Sequence, residues 1–246
     1  MKKLLISSVL LPLSLLAKDV YATFDVEGLQ ESQLTLPVSG VVKSLHVKIG
    51  DKVKKGQFLL ELDNELEKID MELSLNDVKL SQISKDQANS AFLRYQKIKD
   101  VIDDEQFENV EFEYKKATQS LIKSLNAYSL KKVQVAKRQL LSPYSGVVTD
   151  LHVELGDGVS GPSTPLISII SYPKVKLVLS FDEKHWNVVK SGQTFKYRVD
   201  GLEKELVGKI AKVYPSVNPN TRKLKAEVIT KDLLPGLFGD GNIVVE

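Results

Sequence analysis

Hydrophobic and polar residues follow three patterns along the chain. Between residues 24 and 62, apolar side chains mostly alternate with polar ones, as in short strands buried on one face. From 64 to 140, apolar residues recur at steps of three and four, which indicates helix. From 171 onwards the alternation returns. The pattern predicts a β-domain, a long helical segment and a second β-domain.

The first β-segment recurs after the helical segment. Residues 37–51 reappear as 143–157 at a constant offset, with Pro, Ser, Gly, Val, Val, Leu, His, Val, Gly and Asp in matching places. Such self-similarity marks two structural units of one kind. Each copy continues into a short apolar strand, at 58–62 and 166–170. Because one copy is too small to be stable alone, we expect both to close a single domain that the helices interrupt.

The helical segment has two heptad seams, one on each side of a polar stretch. The first seam is Leu66, Ile69, Leu73, Asn76, Leu80, Ile83, Gln87 and Ser90. The second is Phe107, Val110, Tyr114, Ala117, Leu121, Ser124 and Tyr128. Between them, Asp103 followed by Gln106 fits a helix N-cap with its capping partner. We predict an antiparallel coiled-coil hairpin with a turn near 100–103 and arms about 50 Å long.

The final segment, 171–246, has the short alternating strands and glycine-marked turns of a small antiparallel β-barrel. We expect residues 181–190 to form one short helix, with Asp182 near its start. Residues 23–33 supply an N-terminal strand that joins the barrel. The predicted fold class is α+β, in an elongated chain of several domains.

Composition narrows the classes of function. The chain has 246 residues, a net charge of +2 and no cysteine. Disulfides, thiolate metal sites and cysteine nucleophiles are therefore excluded. The near balance of charge gives no basis for nucleic-acid binding. The sequence also lacks the nucleophile-elbow, P-loop and dinucleotide-binding motifs, so we predict that it is not an enzyme.

The N-terminus resembles an export signal. Two lysines follow Met1, residues 4–16 are mostly apolar, and Val20-Tyr21-Ala22 fits a small-x-Ala cleavage pattern. We predict a signal peptide over 1–22, a mature start near Thr23 and a periplasmic location. An uncleaved anchor in the inner membrane is the alternative.

Several motifs, in this order, resemble the periplasmic adaptor proteins, or membrane fusion proteins, of tripartite efflux pumps. They lie at 38–42, 50–57, 142–148, 217–224 and 234–238. The resemblance is to HlyD-like adaptors of the resistance-nodulation-division (RND) type. It implies a lipoyl-like domain at 34–63 and 141–170, split by a hairpin at 64–140 and followed by a barrel at 171–246.

The resemblance also implies partners. Such adaptors link an inner-membrane transporter to a TolC-type outer-membrane channel and associate into a ring, here expected to be a hexamer. The channel contact would involve the hairpin tip, where Arg94 and Ile98 match the family's Arg and Leu positions. Asp103 stands where the family has Ser, and the turn is shorter. Service to an ABC-type exporter is an alternative within the family.

Two histidines raise a different hypothesis. His46 and His152 occupy the same repeat position, which would suit a periplasmic metal- or solute-binding protein. The symmetry of the repeat explains their pairing equally well, and no neighbouring ligand set completes a site. We therefore predict no metal. We also predict no cofactor, because the long insertion replaces the tight turn that bears the acceptor lysine in lipoyl carriers.

Overall fold

A computed structural model describes residues 19–245 of the chain. The protein forms two compact units, one of which is Ser32–Ile169. The other combines the segments on either side of it. Of the predicted signal peptide, residues 1–18 lie outside the described residues.

Within residues 19–245, the regular elements comprise fourteen strands and two long helices. In chain order they are β1 (Val20–Gly28), β2 (Glu31–Leu34), β3 (Gly40–Leu45), β4 (Lys52–Val53), β5 (Phe58–Leu62), α1 (Glu65–Gln96), α2 (Asp104–Ala136), β6 (Gln139–Leu141), β7 (Gly146–Leu151), β8 (Gly158–Val159), β9 (Ile167–Ser171), β10 (Lys174–Asp182), β11 (Thr194–Val199), β12 (Leu206–Val213), β13 (Lys223–Lys231) and β14 (Phe238–Ile243). Two 3₁₀ turns, Lys99–Val101 and Glu183–His185, complete the set.

The two sequence repeats build one β-domain by exchanging strands. Its sheets have the orders β2-β9-β7-β4 and β6-β5-β3-β8. Gly40 of the first repeat pairs with Val159 of the second, and Gly146 of the second pairs with Val53 of the first. These pairs are equivalent under the repeat. Both repeats thus contribute strands to each of these two sheets.

Equivalent turns join these strands. In each repeat the Asp after the Gly accepts a hydrogen bond from a backbone N–H three residues earlier, at 2.8 Å for both Asp51 and Asp157. The preceding residues, Gly50 and Gly156, have φ of 89° and 92°, a region in which a side chain would be strained. The two aspartates therefore stabilise equivalent turns in the two repeats.

The second unit is a closed barrel of six strands in the order β1-β10-β13-β12-β11-β14. Its interior is filled by aliphatic side chains and a cluster of aromatic rings. Phe24 meets Phe195 and Tyr197 edge-on, with ring centroids 5.9 and 5.4 Å apart. A Cβ at Gly239 would lie 2.7 Å from the Phe24 ring, so glycine makes room for that ring. The interior of the barrel is therefore a packed hydrophobic core.

The predicted helix at 181–190 is wrong. Phe181 is buried in β10, which continues to Asp182. Only the 3₁₀ turn Glu183–His185 follows, and the Asp182 carboxylate caps it by accepting from the Lys184 N–H at 2.9 Å. The alternation of apolar residues in β10 simply extends further than the sequence suggested, because Phe181 belongs to the barrel core.

Candidate functional site

The helical hairpin is the feature around which a functional site can be built. Helices α1 and α2 contain 32 and 33 residues. They run antiparallel, since Asp70 near the start of α1 pairs with Lys131 near the end of α2 at 2.6 Å. At the other end, Phe92 packs against Phe107, with centroids 5.8 Å apart. The predicted helix pair and its turn are thus present.

The seam of α2 is the one predicted. All seven of its residues are buried or half-buried, and Leu121 is 8% exposed. The predicted seam of α1 is wrong, because all eight of its residues are exposed. The buried and half-buried residues of α1 instead include Met71, Ser74, Val78, Ser81, Lys85, Ala88, Phe92 and Tyr95.

Side-chain size explains this choice of face. The α2 seam carries bulky residues, and the register set by Asp70–Lys131 brings small residues of α1 to their levels. In that register, Ser74 and Ser81 lie approximately level with Tyr128 and Leu121, whereas Tyr114 stacks on Phe92. Large residues on one helix need small ones opposite for close packing. The more apolar stripe of α1 is therefore left on the outside.

Polar contacts hold the base of the hairpin to the β-domain. The Glu61 carboxylate, at the end of β5, accepts hydrogen bonds from Asn64 (2.6 Å), Gln139 (3.0 Å) and Lys68 (3.1 Å). Partial burial raises the pKa of Glu61, but these hydrogen bonds and the Lys68 charge outweigh it and hold that pKa below its ordinary value. Arg138, after α2, donates to the Asp63 carbonyl oxygen at 2.8 Å.

An aromatic cluster supports the tip of the hairpin. Phe92 stacks on Tyr114 and also contacts Phe107. The Lys99 ammonium of the 3₁₀ turn lies 4.6 Å from the centre of the Phe107 ring, a cation–π contact. These contacts tie the turn back to both helices, so the tip is presented in a defined shape.

The three predicted tip residues all border this turn. Arg94 is exposed in the last turn of α1, and Ile98 is 46% exposed. The Asp103 carboxylate accepts from the Glu105 N–H at 2.8 Å and caps α2, which confirms its predicted N-cap role. Their contact with a channel stays a prediction.

The sequence analysis overlooked Val101. This residue ends the 3₁₀ turn and is 81% exposed, the highest value among the exposed large apolar residues. Its neighbours at 99, 100, 103 and 104 are all charged. The apolar pair Val101-Ile102, flanked by charged residues in the predicted turn, was the available signal. Apolar side chains at such tips are suited to partner contacts.

Each paired histidine bonds a serine. His46 Nε2 lies 3.0 Å from Ser44 Oγ, and His152 Nε2 lies 2.8 Å from Ser168 Oγ. Among residues 19–245, no group of three or more His, Asp or Glu side chains is arranged to hold a metal ion. Each histidine thus forms a hydrogen bond within its own half of the β-domain.

Residues 31–170, which include both repeats and the hairpin, match the family model described as RND MFP, barrel-sandwich hybrid domain. The chain belongs to the RND membrane fusion proteins. Membrane fusion proteins are periplasmic adaptors of efflux pumps and not enzymes. No helix within the described range is long and apolar enough to cross a membrane.

Curated relatives agree with this family. The chain is 24% identical over 163 residues to the multidrug resistance protein MdtA of Yersinia pseudotuberculosis serotype O:3. The aligned region covers 65% of this chain and 37% of that protein. It is 24% identical over 240 residues to MdtA of Photorhabdus laumondii, covering 90% and 59%, respectively. The chain thus spans less than two thirds of each relative's length.

Solved structures share the fold. A MacA-MexA chimeric protein that contains the Pseudomonas aeruginosa MexA α-hairpin domain has a TM-score of 0.74 and 22% identity, covering 94% of this chain and 82% of that one. A membrane fusion protein of Streptococcus pneumoniae R6 has a TM-score of 0.70 and 15% identity, with coverage of 92% and 99%.

Proposed function

We propose that this protein links an inner-membrane transporter to a TolC-type outer-membrane channel and so allows the export of drugs or other toxic compounds. The observation that carries the proposal is the family match over 31–170, with the hairpin inserted in it. The RND family supports an RND transporter over an ABC-type exporter. The names of the MdtA relatives support multidrug export. The protein would act in the periplasm at the inner membrane.

The work would be divided among the domains predicted from the sequence. The lipoyl-like domain, 34–63 and 141–170, would hold the hairpin, 64–140, away from the transporter. The barrel, 171–246 with the strand at 23–33, would meet the transporter. The single tryptophan, Trp186, supports this role, because it is 70% exposed beside the 3₁₀ turn at the end of β10. Exposed tryptophans often anchor interfaces.

The hairpin tip would meet the channel. Arg94, Ile98 and Val101 offer a cation and two apolar side chains on a turn that the aromatic cluster holds in place. Asp103 would act by capping α2 and so fixing the backbone of the turn. Affinity would come from several weak tip contacts multiplied by the number of protomers in a ring.

Two apolar stripes support the ring. The α1 stripe is Leu66, Ile69, Leu73, Leu80 and Ile83, and the α2 stripe is Phe112, Ile122, Leu125, Leu130 and Val133, all exposed. At about 100° per residue, each stripe is centred roughly 120–140° from the inward face of its own helix, and the two offsets have opposite rotational senses along the chain. Because the helices are antiparallel, the stripes lie on opposite faces of the hairpin.

Opposite faces allow head-to-tail association, in which the α1 stripe of one protomer packs on the α2 stripe of the next. Such a heterologous contact closes into a ring when the rotation permits. The two stripes also lie at matching positions along the hairpin axis. In the register set by Asp70–Lys131, Leu80 lies level with Ile122, and Leu73 with Leu130. A neighbour displaced sideways without sliding would therefore bring apolar residues together.

Engineered disulfides test the ring. The chain has no cysteine, so Leu80→Cys combined with Ile122→Cys introduces the only two thiols. Oxidation should give a ladder of covalent oligomers, since the two positions face away from each other within one chain. The control, Leu80→Cys with Val133→Cys, is mismatched in height and should stay monomeric. Equal ladders from both pairs would contradict the proposed packing.

Export assays test the tip. Arg94→Ala and Asp103→Arg should raise ethidium accumulation in cells that depend on this protein, while the purified variants keep wild-type helical content. Lys115→Ala, on the exposed shaft of α2, is the matched charge control. If both tip variants export as well as wild type, the tip assignment is wrong.

A further inference from the structure

The predicted signal-peptide cleavage point falls inside a core strand. Cleavage after Ala22 would remove the first three residues of β1, Val20–Ala22. Val20 is 1% exposed and Ala22 is 0% exposed, and both belong to the core of the barrel. A chain starting at Thr23 would therefore lack part of the barrel interior.

These residues also close the barrel. β1 pairs with β14 through six residues, from Val20 opposite Ile243 to Asp25 opposite Phe238. The other neighbour of β1, β10, pairs with it only from Thr23 onwards. Cleavage after Ala22 would thus remove half of the pairs at the β1–β14 seam. The fully buried Ile243 would lose its partner on β1, and the backbone of β14 from Gly241 to Ile243 would become an open edge on that side.

A cleavage point that preserves β1 must lie upstream of Val20. Signal peptidases require a small residue immediately before the bond they cut. Between the end of the apolar run and β1, the residues are Leu15, Leu16, Ala17, Lys18 and Asp19. Ala17 is the one small residue among them.

We propose that the export signal is removed between Ala17 and Lys18, so that the mature protein begins at Lys18. Water hydrolyses this peptide bond, leaving a carboxylate on Ala17 and a free amine on Lys18. The mature chain then keeps the whole of β1, preceded by two polar residues. This inference rests on the periplasmic location in the proposed function. It moves the predicted cleavage site of the signal peptide by five residues.

N-terminal sequencing and intact mass of the full-length gene product, purified from the periplasmic and membrane fractions, test the proposal. A mature start at Lys18 is expected. A start at Thr23 would overturn the inference and leave the pump role intact. An unprocessed chain in the inner membrane would also overturn the inference while leaving the pump role intact, and it would favour the uncleaved anchor. An unprocessed chain in the cytoplasm would also contradict the proposed function.

Two variants make the test independent of how well the barrel folds, because processing is read on the exported chain itself. Ala17→Phe places a bulky residue before the proposed bond, so precursor should accumulate. Ala22→Val places a β-branched residue before the competing bond, so processing should remain at Lys18. Accumulation of precursor with Ala22→Val but not with Ala17→Phe would overturn the proposal.

Discussion

Phe92 of α1 stacks on Tyr114 of α2, with ring centroids 5.3 Å apart and planes only 10° from parallel. The contact joins the two helices just behind the tip. Since Phe92 also meets Phe107, this one side chain connects the last turns of α1 with the first three turns of α2.

Replacing Phe92 should loosen the tip. Large-to-small changes in full cores cost about 3–5 kcal/mol, and a half-buried ring should cost about 1–3 kcal/mol. We expect Phe92→Ala to lower the free energy of unfolding of the hairpin by that amount. The measurement is urea unfolding monitored by circular dichroism at 222 nm. Hydrogen exchange at residues 99–107 should accelerate. Leu93→Ala, at an exposed neighbouring position, is the control and should change neither.

Acid should weaken the attachment of the hairpin base. The pKa of Glu61 is held below its ordinary value of 4.5 in the folded protein. The ionised carboxylate therefore contributes stability above pH 4.5, and this contribution is lost as pH falls through the lower, folded pKa. Glu61→Gln should be less stable than wild type at pH 7. In urea-unfolding series, the difference in free energy of unfolding between wild type and Glu61→Gln should narrow as the pH is lowered below 4.5. A gap independent of pH would contradict this role.

The two faces of the hairpin should respond differently to the same substitution. Leu80 is 63% exposed and Leu121 is 8% exposed. Leu80→Ser should change the free energy of unfolding by less than about 0.5 kcal/mol, as is usual at surface sites. Leu121→Ser should cost at least about 2 kcal/mol, because it empties a buried position.

The same pair separates folding from assembly. In sedimentation experiments, Leu80→Ser should reduce self-association while the monomer stays folded. If Leu80→Ser unfolds the hairpin as strongly as Leu121→Ser does, then the α1 stripe is part of the core and the assigned faces are wrong.

Much of the fold follows from local pattern. The repeat predicted a single two-part domain because equivalent residues such as Val53 and Val159 take equivalent places in it. The α2 seam was predictable because its bulky residues recur at heptad spacing. The N-cap at Asp103 was predictable because capping depends on side-chain chemistry close in sequence.

The wrong predictions share a cause, because each of these structures depends on contacts with residues that are distant along the chain. The inward face of α1 depends on the bulk of Leu121 and Tyr128 on α2, so the apolar stripe of α1 itself predicted the wrong face. Phe181 was assigned to a helix because its place in the barrel depends on pairing with Leu224, forty-three residues later. At the tip, the sequence marks Val101 and Ile102 as an apolar pair, but only the structure shows that Val101 is exposed while Ile102 is half-buried.

Photo-crosslinking in living cells tests the central claim most directly. A photoreactive amino acid at position 98, between Arg94 and Val101, should crosslink to a TolC-type outer-membrane channel. The same probe at position 133, on the α2 stripe near the base, should instead crosslink to a second copy of this protein. If position 98 gives no channel crosslink while the protein is well expressed and periplasmic, the proposed link between transporter and channel through this tip is contradicted.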